Sequence, residues 1–402
     1  MFNLKNFISD YVIKRPHSMF TDDIEDNREA LTDKIEGKTV LVIGGAGSIG
    51  SSFIKAILPF RPQALVVVDT NENALAELTR DLRSTKGMYV PEDYVTYPMD
   101  FSSPVFQKMF KSRGGFQIVG NFSAHKHVRS EKDIYSVEAL LQNNVLHAKG
   151  LLDLLEQYPP EEYFCVSTDK AANPVNIMGA SKRIMEDLIF SYSDKFPVKT
   201  ARFANVAFSN GSLPAGFLER ISKHQPLSAP SDVKRYFVSP EESGQICMLS
   251  CILGENRAIF FPKLEEAQMM TFDSIATALL KEHGYEALQC NSDEEAIQKA
   301  TEFKAGDRSY PVHYSVSNTS GEKAFEEFVT DTETADMNRF RSLGVITDKP
   351  IPDREKLKAL LKDLSDLFEK DETTKEEVVA VMKDYLPNFE HIETGKSLDS
   401  KM

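Results

Sequence analysis

The side chains best suited to acid–base chemistry are concentrated between residues 167 and 182. Thr168, Asp169 and Lys170 place a hydroxyl, a carboxyl and an amine in a row, directly after an apolar run that is typical of a strand. Open α/β sheets carry their chemistry at the carboxyl ends of strands, so these three are candidate catalytic residues. Taken singly, Asp169 could cap a helix and Lys170 could be a surface lysine. Met178 and Lys182 follow one helical turn apart and would share a helix face.

A glycine-rich turn supplies a candidate cofactor site. The sequence Gly44-Gly-Ala-Gly47-Ser-Ile-Gly50 lies between an apolar run at 38–43 and an amphipathic stretch at 51–58. Glycines at this spacing let the backbone turn tightly and approach a pyrophosphate, and the helix that follows offers free N–H groups to it. A glycine turn in a sheet that binds nothing is the alternative, but the strand and helix on either side disfavour it. We predict that Gly44, Gly47, Ser48, Ile49 and Gly50 bind the cofactor.

Two acidic residues at later strand ends extend this site. Asp69 ends the run Ala64–Asp69, at about the 20-residue spacing expected of a ribose ligand. A carboxylate there accepts hydrogen bonds from the ribose hydroxyls and repels a 2′-phosphate, so NAD is predicted rather than NADP. Asp100 and Phe101 follow the third run and are predicted to face the adenine, although Asp100 could instead cap the next helix.

Apolar runs alternate with helical patterns through the first half of the chain. This alternation predicts an α/β fold with a doubly wound parallel sheet of the Rossmann type, and continuous apolar strands fit a sheet that is buried on both faces. The predicted strands lie at 38–43, 64–69, 94–98, 116–120 and 163–167, with helical patterns at 51–58, 72–83 and 137–158.

The regularity fades after residue 202, where prolines interrupt short segments. We therefore expect a smaller C-terminal substrate-binding domain over the carboxyl ends of the strands. Leucines at helical spacing between 353 and 385 predict an amphipathic helix that packs on the core or on a second subunit. The predicted parts are an N-terminal helical segment (1–36), an NAD-binding Rossmann domain (37–201), the substrate domain (202–334) and a helical C-terminal extension (335–402).

Composition excludes several classes of function. With 61 acidic and 47 basic residues the net charge is -14, which argues against nucleic acid as a partner but leaves room for a small anionic ligand. No apolar run approaches the ~20 residues of a membrane span, and no secretory signal is evident, so a cytoplasmic location is expected. The four cysteines form no CxxC pair, and His125 and His127 have no further ligands nearby in sequence, so no metal site is predicted.

The segment 167–182 resembles the nucleotide-sugar 4,6-dehydratases of the CapD-like polysaccharide biosynthesis family, which are extended short-chain dehydrogenases/reductases. That superfamily carries a Tyr-x-x-x-Lys pair, whereas this chain has Met178-Gly-Ala-Ser-Lys182. One branch of the dehydratases has methionine at this position. Further similar segments, in order along residues 38–330, are Asn121–Val128, Arg202–Val206, Asn210–Ser212, Arg235–Glu242 and Gly321–Glu327.

This resemblance implies an NAD-dependent reaction of UDP-N-acetylglucosamine, or a related UDP-sugar, that is redox-neutral overall. The sugar is oxidised at C4, loses water across C5 and C6, and regains hydride at C6. Asp169 would be the acid for the C6 hydroxyl, Lys170 the base at C5, and Thr168 the hydrogen-bond partner of the C4 hydroxyl. Met178 is linked by resemblance to retention of configuration at C5. The acceptor of the C4 proton stays open between Thr168 relaying to water, Asp169, and water alone.

The resemblance also implies ligand contacts. Lys182 would hold the nicotinamide ribose, and Lys126 would join the cofactor ligands. The implied substrate ligands are Asn205, Asn210, Gly211, Ser212, Arg235 and Glu322. Asn210 stands where the family usually has arginine, and Thr319-Ser320 where it has Arg-Pro, which alters the expected UDP contacts.

A homo-oligomer is expected by analogy with the family. Two other functions fit part of the pattern. A nucleotide-sugar C4-epimerase would share the glycine turn and Lys182, but it normally needs the tyrosine. A non-catalytic sensor of NAD or a nucleotide sugar would explain the missing tyrosine, but it has no use for an intact Thr-Asp-Lys.

Overall fold

The computed structural model describes residues 2–127, 131–304, 306–317, 326–347 and 349–391. The helices are α1 (Leu4–Phe7), α2 (Thr21–Asp26), α3 (Arg28–Ile35), α4 (Ser48–Ile57), α5 (Glu72–Ser84), α6 (Pro104–Ser112), α7 (Ile134–Leu141), α8 (Ala148–Gln157), α9 (Ile177–Phe190), α10 (Leu213–Ser222), α11 (Pro240–Leu253), α12 (Phe272–Glu282), α13 (Asp293–Thr301), α14 (Arg354–Phe368) and α15 (Lys375–Tyr385). The strands are β1 (Thr39–Ile43), β2 (Ala64–Asp69), β3 (Asp93–Pro98), β4 (Ile118–Asn121), β5 (Glu162–Val166), β6 (Val198–Ala201), β7 (Asn205–Val206), β8 (Leu227–Pro230), β9 (Lys234–Arg235), β10 (Phe237–Val238), β11 (Ile259–Pro262), β12 (Met270–Thr271), β13 (Glu286–Gln289), β14 (Ser309–Ser315), β15 (Ala335–Asp336) and β16 (Leu343–Ile346).

Within the described ranges, nine strands form the main sheet, in the order β15-β16-β11-β6-β5-β4-β1-β2-β3. The strands from β3 to β11 run parallel, and at one edge β16 pairs antiparallel with both β11 and β15. All five predicted strands are present, which confirms the α/β fold with a doubly wound parallel sheet. The strand order reverses between β1 and β4, and such a reversal opens a crevice at the carboxyl ends of the strands.

Both faces of the sheet are covered, as the continuous apolar strands predict. On one face, Phe53, Ile54 and Ile57 of α4 are buried in a core that also contains residues of α11. On the other face, the buried core is formed largely by α7, α8 and α9. A π-helical turn (Gln142–His147) joins α7 to α8, so the predicted helical pattern at 137–158 is one nearly continuous rod.

The C-terminal segment predicted as one helix forms a hairpin of two helices, α14 and α15, and the leucines lie in α14. Leu357, Leu360 and Leu364 of α14 are buried in the same core as α9, and α15 adds Val378 and Met382. The hairpin therefore packs on the same side of the main sheet as α9. Among the described helices, none is both long and apolar enough to cross a membrane.

The remaining strands form small sheets above the carboxyl ends of the main sheet. β13, β14 and β8 pair in parallel, β7 pairs with β10, and β9 pairs with β12. The chain returns from this region to the main sheet through β11, β15 and β16, which lie downstream of residue 201. The predicted division into four parts remains a proposal.

Candidate active site

An open cleft of about 910 Å³ lies at the carboxyl ends of the parallel strands. This volume falls within the usual range of small-molecule sites. Residues singled out from the sequence for the cofactor, the catalysis and the substrate meet in it. Those that line the cleft are Gly44, Gly47, Ser48, Ile49, Gly50, Asp69, Asp100, Phe101, Lys126, Thr168, Asp169, Lys170, Met178, Lys182, Asn205, Gly211 and Ser212.

The glycine turn has separate structural reasons for its glycines. Gly44 has φ +70°, and a Cβ on it would lie 2.6 Å from the Ser123 nitrogen. A Cβ on Gly50 would lie 2.4 Å from the Gly44 carbonyl oxygen, so α4 can approach the turn only with glycine there. A Cβ on Gly47 would have no neighbour closer than 3.4 Å and would project where the turn lines the cleft. In the described part of the chain no side chain caps α4, so its first N–H groups face this space. The turn therefore fits a bound pyrophosphate.

Gly50→Ala is expected to weaken dinucleotide binding about tenfold, which corresponds to 1.4 kcal/mol, because the added methyl group pushes α4 away from the turn. Titration of the protein with NAD measures this. Gly150→Ala in α8 is the matched control, since a Cβ there meets nothing within 4 Å. It should leave NAD affinity unchanged and slightly stabilise the helix. Equal NAD affinity in both variants would show that close packing at Gly50 is not needed for the site.

Asp69 is held at the end of β2 by two backbone N–H donors. Its carboxylate accepts from Ala46 at 3.0 Å and from Asn71 at 2.9 Å, which ties strand two to the glycine turn. Asp100 accepts from the backbone N–H of Ser102 at 2.7 Å, and Ser103, not Asp100, caps α6. Both aspartates line the cleft, as the cofactor prediction requires.

The Thr-Asp-Lys segment forms a connected polar group in the turn that follows β5. The Thr168 hydroxyl donates to Asp169 Oδ1 at 2.7 Å. Lys170 Nζ donates to the two oxygens of the same carboxylate at 3.2 and 3.3 Å. Asp169 is 5% exposed, whereas Thr168 and Lys170 are partly exposed toward the cleft. A hydroxyl, a carboxylate and an amine are therefore linked by hydrogen bonds in one group.

Helix α9 begins at the cleft and presents Met178 and Lys182 to it. Asn176 caps the helix by accepting from the Gly179 N–H at 2.7 Å. Lys182 is buried, donates to the Val166 carbonyl oxygen at 3.1 Å, and has its pKa lowered by desolvation. Gly179 allows α9 to approach the turn that follows β5, because a Cβ on Gly179 would lie 2.7 Å from the Lys170 carbonyl oxygen.

Two buried carboxylates support this helix, and neither was singled out from the sequence. Glu131 accepts from the backbone N–H groups of Ile177 and Met178 at 3.1 and 2.8 Å, and so fixes the first turn of α9. Glu186, one turn beyond Lys182, accepts from the Ser167 hydroxyl at 2.7 Å. Glu131 lies 46 residues from Ile177 in the chain, so no local sequence pattern indicates the contact.

A network of buried ion pairs lies behind the turn that follows β5. The Arg202 side chain is fully buried and pairs with Glu186 at 2.6 Å and Glu333 at 2.7 Å. Glu333 also pairs with Lys349. Pairing with Arg202 holds the pKa of both carboxyls below the usual range, despite the opposing effect of burial. The network connects β6, α9 and the segments on either side of β15 and β16.

The predicted substrate ligands do not all lie in the cleft. Asn205, Gly211 and Ser212 line the cleft, and the Asn210 backbone N–H donates to the Ser48 hydroxyl at 2.8 Å, which joins the substrate side to the cofactor turn. Arg235 lies behind the cleft, 7% exposed, with Nε 3.9 Å from Glu326 Oε1. Glu322, together with Thr319-Ser320, lies outside the described residues.

Glu326 lies in the segment Gly321–Glu327, which resembles the family, although the predicted substrate ligand in that segment is Glu322. It is buried, accepts from Asn205 Nδ2 at 2.6 Å and from the Tyr236 N–H at 2.8 Å, and faces Asp169. His125 and His127 also line the cleft. No cluster of three or more metal-ligating side chains occurs among the residues that the structure covers.

A doubly wound sheet with this glycine turn, an acid at the end of strand two and a lysine on α9 defines a nucleotide-binding fold of the short-chain dehydrogenase/reductase type. Residues 40–347 match the family described as polysaccharide biosynthesis protein, and the chain belongs to that family. The resemblance inferred from the sequence motifs is thereby confirmed.

Several known proteins are similar to this chain. It is 26% identical to an uncharacterised membrane protein of Methanocaldococcus jannaschii, over 82% of this chain and 96% of that protein. It is 26% identical to the probable polysaccharide biosynthesis protein EpsC of Bacillus subtilis, over 73% of this chain but only 48% of EpsC. It is 25% identical to an inverting UDP-N-acetylglucosamine 4,6-dehydratase of Campylobacter jejuni, over 60% of this chain and 71% of the relative. The solved structure of Pen from Bacillus thuringiensis aligns with TM-score 0.63 at 18% identity, over 82% of this chain and 98% of Pen, and supports the fold.

Proposed function

We propose that this protein is an NAD-dependent UDP-N-acetylglucosamine 4,6-dehydratase that retains the configuration at C5 and serves the synthesis of bacterial surface-glycan sugars. The observation that carries the proposal is the Thr168–Asp169–Lys170 network, because a linked acid and base at the cleft suit loss of water better than simple oxidation. The similarity to a dehydratase of this substrate supports the same reaction class.

The cofactor is NAD. It supplies, when bound, a hydride acceptor for C4 of the sugar and the hydride that C6 later receives. The residues that would hold it are the glycine turn at the pyrophosphate, Asp69 at the adenosine ribose and Lys182 at the nicotinamide ribose. The free N–H groups of α4 fit the pyrophosphate, and the Asp69 carboxylate at the end of β2 fits an unmodified ribose rather than a 2′-phosphate.

The C4 hydroxyl must lose its proton without the usual tyrosine. Of the three acceptors that the sequence left open, the geometry favours Asp169 reached through Thr168, since the Thr168 hydroxyl already donates to Asp169 Oδ1. The C4 proton would pass to Thr168 as the Thr168 proton passes to Asp169. Asp169 would then hold the proton that the departing C6 hydroxyl requires. Lys170 would remove the C5 proton and later return a proton to C5, after exchange with solvent.

Thr168→Val is expected to lower kcat about 100-fold with little change in KM, because valine keeps the shape of threonine but removes the hydroxyl that connects C4 to Asp169. Steady-state kinetics with UDP-N-acetylglucosamine measure the effect. Thr168→Ser is the matched control and should retain most of the activity. A fully active Thr168→Val protein would instead assign C4 deprotonation to water or to Asp169 directly.

The reaction itself is tested by NMR of the protein with UDP-N-acetylglucosamine and NAD in deuterated water. The expected product has a new C6 methyl group, a hydrated 4-ketone and deuterium at C5 with retained configuration. A product inverted at C5 would keep the dehydratase and reject retention. An unchanged substrate would reject this sugar as the substrate, and a 4-epimer in place of the ketone would identify an epimerase.

A further inference from the structure

Glu326 is a buried carboxylate at the junction of the substrate and catalytic sides of the cleft. It is 9% exposed, on the segment between β14 and β15. One of its oxygens accepts from Asn205 Nδ2 at 2.6 Å, and the other accepts from the Tyr236 backbone N–H at 2.8 Å. Arg235 Nε lies 3.9 Å away. The carboxylate therefore ties β7 to the β9–β10 segment.

The contact fixes one of the cleft-lining amides. Asn205 carries two N–H donors, and donation of one to Glu326 orients the other without consuming it. An amide held in this way at the cleft surface is ready to donate to an anionic oxygen. A carboxylate immediately behind it has the opposite effect on an anion, because its negative charge repels the ligand that the amide attracts.

We propose that Glu326 is a positioning residue for the diphosphate of the nucleotide sugar, which holds Asn205 in place and admits the ligand best when Glu326 is protonated. This inference rests on the proposed function, since it takes the ligand to be a nucleoside diphosphate sugar. The role goes beyond the predicted contacts of Asn205 and Arg235, because it assigns to a third residue the orientation of Asn205 and the pH dependence of ligand binding.

The surroundings of Glu326 favour the protonated form near neutrality. The charged groups that face it are Asp169 and Lys170 from the turn after β5 and Arg235 from β9, with the neutral phenol of Tyr236 beside them. Burial raises the pKa of Glu326 to about 7, with the Asp169 carboxylate adding to the rise and Lys170 and Arg235 opposing it. The proton is therefore present below about pH 7 and lost above it, whereas a diphosphate diester keeps its charge throughout this range.

The test measures binding of UDP-N-acetylglucosamine by calorimetry to the full chain saturated with NADH, which cannot oxidise C4, so no turnover interferes. For the unaltered protein the dissociation constant is expected to rise about tenfold between about pH 6 and about pH 8.5, as Glu326 becomes charged. Glu326→Gln should bind equally well at both pH values, with the affinity that the unaltered protein has at low pH. The Asn205 amide can turn to accept from the new amide group, so its position is kept.

Glu326→Ala removes both the charge and the partner of Asn205, and should bind about tenfold more weakly than Glu326→Gln at both pH values. Glu327→Gln is the matched control, because Glu327 is the exposed neighbouring carboxylate and bonds to Asn173 at 2.9 Å. It should keep the pH dependence of the unaltered protein. If binding occurs but neither pH nor the Glu326 substitutions alter it, the role of Glu326 is rejected while the proposed function stands. If the unaltered protein does not bind the sugar nucleotide at either pH, the proposed function fails and this inference fails with it.

Discussion

Lys170→Met is expected to abolish dehydration, with kcat lowered by about 10²- to 10⁴-fold, while NAD binding is retained. Lys170 is the candidate base at C5, and its amine lies partly exposed at the cleft, 3.2 Å from Asp169 Oδ1. Methionine preserves the length and the packing of the side chain but cannot accept a proton. NMR in deuterated water should show neither a C6 methyl group nor deuterium at C5.

Asp169→Asn should abolish turnover as well, because an amide cannot donate the proton that the C6 hydroxyl requires. Lys149→Met is the matched control for Lys170→Met. Lys149 forms a similar pair with Asp153, at 2.6 Å, on the surface of α8 away from the cleft. It should retain full activity. Turnover that survives both Lys170→Met and Asp169→Asn would overturn the assignment of acid and base to these residues.

Arg202→Met is expected to destabilise the protein by about 3–5 kcal/mol, because it leaves the buried carboxylates of Glu186 and Glu333 without their main counter-charge. The Glu186 carboxylate also accepts from Ser167, which directly precedes Thr168, Asp169 and Lys170. A loss of kcat should therefore accompany the loss of stability. Denaturant unfolding measures the free energy. Arg80→Met is the matched control, since Arg80 forms an exposed pair with Glu77 and its loss should cost less than about 1 kcal/mol.

The same variant has a pH signature. In the unaltered protein the pKa values of Glu186 and Glu333 are lowered, so their contribution to stability is present above the unfolded-state pKa and is lost as the pH falls through the folded-state values. Without Arg202 the two buried carboxylates lose their main counter-charge, so their protonation becomes more favourable. The destabilisation should therefore be smaller at about pH 5 than at about pH 8. An equal loss at both pH values would indicate that Arg202 acts through packing rather than through charge.

The sequence by itself was sufficient for the architecture and for much of the cleft. β-branched runs alternating with helical patterns impose a parallel sheet, and the carboxyl ends of parallel strands converge at one edge. The glycine turn, Asp69, and the triplet from Thr168 to Lys170 each follow such a strand, so their proximity was predictable from local patterns alone. The single C-terminal helix predicted at 353–385 proved to be a hairpin, because the break between α14 and α15 is a local turn that helical spacing does not reveal.

Only the tertiary structure decided which charges meet behind the cleft. Glu186, Arg202 and Glu333 are distant in sequence, and Glu326 reaches Asn205 across 121 residues. From sequence alone, a single carboxylate or arginine is predicted to be exposed, because burial of a charged side chain is unfavourable unless an opposite charge pairs with it. Here the return of the chain to the main sheet through β15 and β16 supplies those partners. The candidate reactive residues therefore lie in short segments that the sequence reveals. The charged groups that surround them are brought together only by folding of distant segments.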